Sequence, residues 1–201
     1  MAVDLVQIGA LAEQKEDANW EFRQLVKFEC KRKPQEMDKQ VWEITRRVWA
    51  VIDCSACANC CREVRPTCSE EEVSRLAGRL DMTPEQLVGA YLEHNEEVED
   101  NPWPTRSTPC PFLKDNRCSV YEHRPADCQG CPYLYGPAFA SRTIAMIEQT
   151  FTCPIVFEAI EALKQSRGFA RRKKRRCEPI FPLPCRRPAP QSATIRRCSF
   201  P

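Results

Sequence analysis

Apolar positions near the N-terminus repeat at helical spacing. Leu5, Ile8, Leu11 and Ala12 fall on one face and predict a helix over residues 3–29. Trp20, Phe22, Leu25, Val26 and Phe28 follow at mixed spacing and run to Cys30, after which Pro34 breaks the pattern. From Gln35 to Asp53, the residues Val41, Trp42, Ile44, Val48, Trp49 and Ile52 predict an amphipathic helix leading into Cys54. Ser69-Glu-Glu-Glu72 has the form of a capping box, in which hydroxyl and carboxylate each satisfy an end-of-helix N–H, so a helix is expected through Leu80. Thr83-Pro84-Glu85-Gln86 repeats the signal with proline at the first helical position and predicts a helix to about His94. The acidic stretch from Glu96 to Arg106 contains two prolines and reads as a loop. Residues 110–137 predict irregular turns with a short strand pair near Phe112–Leu113 and Cys118–Tyr121. Ser141–Thr150 and Pro154–Gln165 read as two helices.

The pattern changes after Gly168. Residues 168–201 hold ten Lys or Arg against the single acid Glu178, a balance of +9, while the preceding residues balance at −7. This segment, with its run Arg171-Arg-Lys-Lys-Arg-Arg176, lacks the apolar periodicity needed to offset the entropy of ordering it. A disordered, solvated tail is expected. Contact of the basic hexamer with nucleic acid, or a targeting role, is the competing reading. No stretch approaches the roughly 18 apolar residues of a membrane span. Met1–Ala10 carries Asp4 and no Lys or Arg, unlike a secretory signal, so a cytoplasmic protein is expected.

The 14 cysteines alter this picture most. Cys54-Ser-Ala-Cys57-Ala-Asn-Cys60-Cys61 places four thiols in eight residues. Such near neighbours cannot all pair as disulfides, which need a particular Cα separation and direction. They can converge on a cation, since thiolate is a soft ligand for zinc and for iron–sulfur clusters. Cys110, Cys118, Cys128 and Cys131 form a second group. In a chain without a secretory signal, this usage points to metal or redox chemistry; a disulfide framework is the alternative. Cys-x2-Cys-x2-Cys is also the spacing of cubane iron–sulfur sites, where a remote Cys-Pro supplies the fourth ligand. Cys110-Pro111, Cys131-Pro132 and Cys153-Pro154 are candidates for that role. Equally, eight cysteines fill two closed tetrahedral zinc sites. Cys68 is close enough to be a further candidate, although an isolated cysteine is more often a small buried apolar residue.

These residues resemble the YkgJ-type cysteine-cluster family, the zinc- or iron-chelating CxxCxxCC domain. The name motif is matched by residues 54–61, and a second signature by Cys110-Pro-Phe-Leu and by Cys118-Ser-Val-Tyr121-Glu-His-Arg124-Pro125-Ala-Asp-Cys128. Cys153-Pro154 matches a late Cys-Pro, and the likeness covers residues 50–165. The resemblance implies eight metal-ligating cysteines: Cys54, Cys57, Cys60, Cys61, Cys110, Cys118, Cys128 and Cys153. Cys131 stands where relatives often carry an aromatic residue, giving nine candidates for eight positions. Ala58 stands where many have glycine. Members are often labelled iron–sulfur oxidoreductases, and a related domain occurs in flagellin lysine N-methylases.

Arg124 can offset thiolate charge by donating to sulfur, or can pair with Asp127. His94 would suit a helix C-terminal pole. The six scattered glycines form neither a dinucleotide fingerprint nor a phosphate loop, and no Gly-x-Ser-x-Gly is present. The expected architecture is mostly α: an N-terminal helical segment (1–49), a small irregular metal-stapled cysteine-cluster domain with minimal β (50–167) and the basic tail (168–201). The expected cofactor is zinc or an iron–sulfur cluster, and the expected partner is the metal ion. The function classes are a metal-binding protein, an iron–sulfur oxidoreductase or component of a protein-modifying (methylase-like) enzyme, and a zinc-stabilised module holding another protein or nucleic acid.

Overall fold

The computed structural model describes residues 4–30 and 33–169. The basic hexamer and the cysteines at 177, 185 and 198 lie outside the described residues. Among the described residues the chain is mostly helical, with two small antiparallel sheets of two strands each. No described helix is long and apolar enough to cross a membrane.

Helix α1 spans Leu5–Cys30 and opens on Asp4, whose carboxylate accepts the Gln7 N–H at 2.8 Å. Its buried face is Ile8, Ala12, Asn19, Phe22 and Val26; Leu11, expected on that face, is 39% exposed. Helix α2 (Pro34–Trp49) starts with proline at its first position, where the missing N–H costs nothing. It buries Met37, Val41, Ile44 and Thr45. Trp42 lies off that stripe and is 41% exposed, so the aromatic does not serve the core as expected. The helix ends at Trp49, short of the cysteines.

These two helices pack on α8 (Phe139–Gln149) and α9 (Pro154–Ser166). The shared core joins Phe22, Val26, Met37, Val41, Ile44 and Ile52 to Leu134, Phe139, Met146, Ile155, Val156, Ile160 and Leu163. Each such side chain, fully buried, stabilises the fold by about 1.5–3 kcal/mol before entropy is counted. Ala138 adopts the left-handed conformation and has no side chain to cap α8. The Asp38 carboxylate from α2 does so instead, accepting the Ala138 and Phe139 N–H groups at 2.9 Å each. Arg167 pairs with Glu29 at 2.9 Å, and Gly168 turns the chain at φ 63°. Phe169 then packs edge-on against Phe22, with ring centroids 5.5 Å apart. The packed chain therefore continues past Gly168 to include Phe169.

A second core lies between. Helix α3 (Cys54–Cys57) and helix α4 (Asn59–Glu63) carry the first cysteine motif. Strand β1 (Thr67–Cys68) pairs with β2 (Trp103–Pro104), inside the stretch read as a loop. Helix α5 (Glu70–Arg79) and helix α6 (Pro84–Tyr91) both open on the complete capping boxes expected from sequence. Helix α6 stops at Tyr91 because Leu92 turns extended and bridges to Thr105. His94 is thus beyond the helix, its ring 4.7 Å from that of Trp103. Strand β3 (Leu113–Lys114) pairs with β4 (Arg117–Cys118) across the two-residue turn Asp115-Asn116. Both turn residues have positive φ, the conformation whose twist suits a tight hairpin. Cys68, Val73, Leu76, Ala77, Leu87, Leu92, Cys110, Phe112 and Val120 form this core. The short helix α7 (Ala126–Gly130) completes the region.

Candidate metal centre

The cysteines arrive at one place from four separate segments. Helices α3 and α4 deliver Cys54, Cys57, Cys60 and Cys61, with the turn between them made at Ala58. Ala58 sits at φ 54°, ψ 14°, a left-handed conformation that glycine adopts without the cost borne by a Cβ. The β3–β4 hairpin and its approach deliver Cys110 and Cys118. Helix α7 and its exit deliver Cys128 and Cys131, and Cys153 stands at the start of α9.

Backbone and polar side chains fix these segments to one another. The Cys110 N–H donates to the Cys61 carbonyl at 2.7 Å. At the hairpin tip, the Asn116 amide donates to the Ala56 carbonyl at 2.7 Å and its oxygen accepts from Arg62. Arg62 also donates to the Cys57 carbonyl at 3.1 Å. The first motif is thereby clamped to the second. Asp127 accepts the Thr67 N–H at 3.1 Å and the Tyr133 hydroxyl, tying α7 to β1. Gly130 lets the Tyr133 ring approach: a Cβ there would lie 2.7 Å from Tyr133 Cε1. Neither Arg62, Asn116 nor Tyr133 was singled out by sequence, since each acts through a long-range contact; the Asp-Asn hairpin turn was the one local clue.

A cavity of about 370 Å³ lies between the segments. Cys54, Cys60, Cys61, Cys110, Cys118, Cys128, Cys131 and Cys153 all line it. Cys57 stands outside its wall, and Cys68 is packed in the second core. All the cysteines whose side chains are described are free thiols. Among the described residues, no group of three or more His, Cys, Asp or Glu side chains stands in a geometry that could hold a metal ion.

The electrostatics follow from crowding thiols away from water. Burial, then Cys60 and Cys57, push the Cys54 thiol up to about 11, and Arg124 pulls the other way. Burial likewise holds Cys153 up to about 12 and raises Cys57, Cys110 and Cys128. Cys60 is the exception. The thiols of Cys131 and Cys61 both donate to it and hold it well below the ordinary range; both donors are raised in turn. Arg124 does not pair with Asp127, whose carboxylate is engaged elsewhere. Its guanidinium lies over the Tyr121 ring, 3.8 Å from the centroid, and its Nε is buried without a partner on the cavity wall.

The chemistry of this donor set suits a thiophilic metal. Eight soft donors line one cavity, most of them raised by burial first and by neighbouring thiols second, and half-buried Arg124, with an unused Nε–H, lies on the same wall. A bound cation would lower the cost of burying ionised thiols, and Arg124 would offset part of the surplus thiolate charge.

Comparison with curated proteins and with solved structures found no significant match. A family model described as "CxxCxxCC: Putative zinc- or iron-chelating domain" matches residues 53–154, about half of the chain, and spans all nine candidate cysteines. The chain belongs to the CxxCxxCC family of zinc- or iron-chelating domains.

Proposed function

We propose that the protein binds zinc or iron through the eight thiols lining the cavity, and that the bound metal fastens the cysteine domain. The observation that carries this reading is the gathering of Cys54, Cys60, Cys61, Cys110, Cys118, Cys128, Cys131 and Cys153 around one space from four separate segments. Cys57 lies beside this set, within electrostatic reach of Cys60. The second core is small and its strands are two residues long. Structural zinc contributes about 10–16 kcal/mol to folding, against a net domain stability of about 5–15 kcal/mol, so the metal decides whether such a region folds.

The chain's own part is to present thiols, surrender their protons and screen the resulting charge with Arg124. The bound metal supplies either a closed structural crosslink, as zinc, or electron transfer, as an iron–sulfur cluster. Elemental analysis and a visible spectrum of anaerobically purified full-length protein test the reading. Stoichiometric zinc in a colourless sample, or iron in a coloured one, supports it, and the second outcome favours the oxidoreductase form. A folded protein containing neither metal contradicts it.

A further inference from the structure

We infer that the chain's own proline-rich segment, residues 178–184, docks on an aromatic strip along the outer face of α2 made by Trp42, Arg46, Trp49 and Tyr135. The contact does not depend on which metal the cysteines hold, or on whether they hold one.

The strip is built from side chains that the core leaves at the surface. Trp42 is 41% exposed and stands off the buried stripe of α2. Trp49 follows seven residues later, which on a helix is the same face, about 10.5 Å further along the axis. Exposed Arg46 lies between them, about one turn from each. Tyr135, from the loop before α8, is 47% exposed and rests against Trp49 with ring centroids 6.0 Å apart. Arg46, Trp49, Ala50 and Tyr135 border an open hollow of about 400 Å³. Such a surface suits an occupant that stacks on rings and brings a negative charge.

Aromatic-lined grooves take polyproline II segments, whose fixed φ leaves little conformational freedom to lose on docking. Residues 178–184 read Glu-Pro-Ile-Phe-Pro-Leu-Pro. Pro179 and Pro182 are three residues apart, which is one polyproline II turn of about 9.3 Å. That step is close to the axial spacing of Trp42 and Trp49. Glu178, the single acid of residues 168–201, directly precedes Pro179 and complements Arg46.

The described chain ends within reach of the strip. The Gln40 amide of α2 donates to Ser166 at 2.8 Å, and Phe169 packs against the core that α2 shares. Glu178 comes nine residues after Phe169, an extended reach of about 30 Å. A helix is only about 10–12 Å across, so the segment passes round α2 to its outer face. Tethering holds it there at high effective concentration, which populates even a weak contact. Tyr135 also borders a groove that runs inward to Tyr133, on the wall of the thiol cavity. The docked segment covers the outer end of that groove.

Surface contacts of this kind add little to stability, so the readout is the strip itself rather than the melting temperature. The full-length chain has four tryptophans, each with its own indole N–H signal in a ¹H–¹⁵N NMR spectrum. Two variants, Pro179→Ala/Pro182→Ala and Glu178→Arg, are compared with the wild type. Both are expected to shift the Trp42 and Trp49 signals. Trp103, whose indole donates to Glu70 at 2.7 Å beside the second core, should stay in place. A synthetic peptide of residues 178–184, added to the double variant, should return the Trp42 and Trp49 signals toward the wild type. Unmoved Trp42 and Trp49 signals in either variant overturn the inference, as does an equal shift of Trp103 or a peptide without effect. Wild-type signals that change on tenfold dilution also overturn it, because the occupant is then another copy's segment rather than the chain's own.

Discussion

The Glu72 carboxylate accepts the Ala126 backbone N–H at 2.6 Å. The same side chain closes the capping box of α5 by accepting the Ser69 N–H at 3.0 Å, and it is nearly buried. One carboxylate therefore starts two helices, and the second carries Cys128. Replacing Glu72 by alanine leaves two N–H groups without their acceptor. Hydrogen bonds to charged groups contribute about 1.5–3 kcal/mol each, so Glu72→Ala is expected to lower stability by at least about 2 kcal/mol. Urea unfolding of the metal-loaded protein measures this; a loss under about 0.5 kcal/mol, the scale of a surface change, contradicts it.

Arg124 is expected to act on the cavity thiols rather than through an ion pair. Because it lies on the thiol-lined cavity wall, lowers the Cys54 thiol and is not paired with Asp127, Arg124→Gln should weaken metal binding while leaving the loaded fold intact. Loss of such a supporting group typically costs about 10–100-fold in affinity. Competition against a chromophoric chelator reads the change. Unaltered affinity shows that the guanidinium is merely stacked on Tyr121.

Metal uptake should depend on pH with a definite sign. At neutral pH Cys54 and Cys153, held up to about 11 and about 12, are protonated, so ligation must displace their protons. Affinity therefore rises with pH, and protons appear in solution on loading. The metal-free protein behaves oppositely. Unfolded thiols ionise near 8.5, so above about that pH the unfolded chain gains charge that the folded one resists. Stability is full below that point and declines as pH rises toward 11–12. Calorimetric titration in buffers of different ionisation heat tests the first statement, and denaturant melts at neutral and alkaline pH the second. Proton uptake on loading, or a metal-free fold strengthened by alkali, contradicts the scheme.

Removal of residues 170–201 should leave metal content and melting temperature unchanged, since all nine candidate cysteines and both cores lie within the preceding residues. Removing Phe169 as well should lower stability measurably, because a partly buried ring leaves the core. A large loss of metal on the shorter cut shows that the basic segment contributes to the centre.

What the sequence made legible was local. Both capping boxes formed as read, because Ser69 with Glu72 and Thr83 with Gln86 lie within one turn. The helices near 141–150 and 154–165 formed because their apolar stripes face α1 and α2. The failures came from partners distant in sequence. Helix α6 was read too long because Thr105, which draws Leu92 into a bridge, gives no local signal. Trp42 and Leu11 were placed inward by hydrophobicity alone, although the stripes that bury run through Val41 and Ala12. Asp38 capping α8 was invisible for the same reason. At the centre, spacing identified the thiols but not their directions. That Cys131 and Cys153 both line the cavity while Cys57 does not is a property of the fold.

The most direct test is a thermal melt of one full-length sample before metal removal, after it, and after zinc or iron is restored. The account predicts a large fall in melting temperature with loss of helical signal, recovered on reloading. An unchanged melt in demonstrably metal-free protein would show that the two cores hold together without an ion.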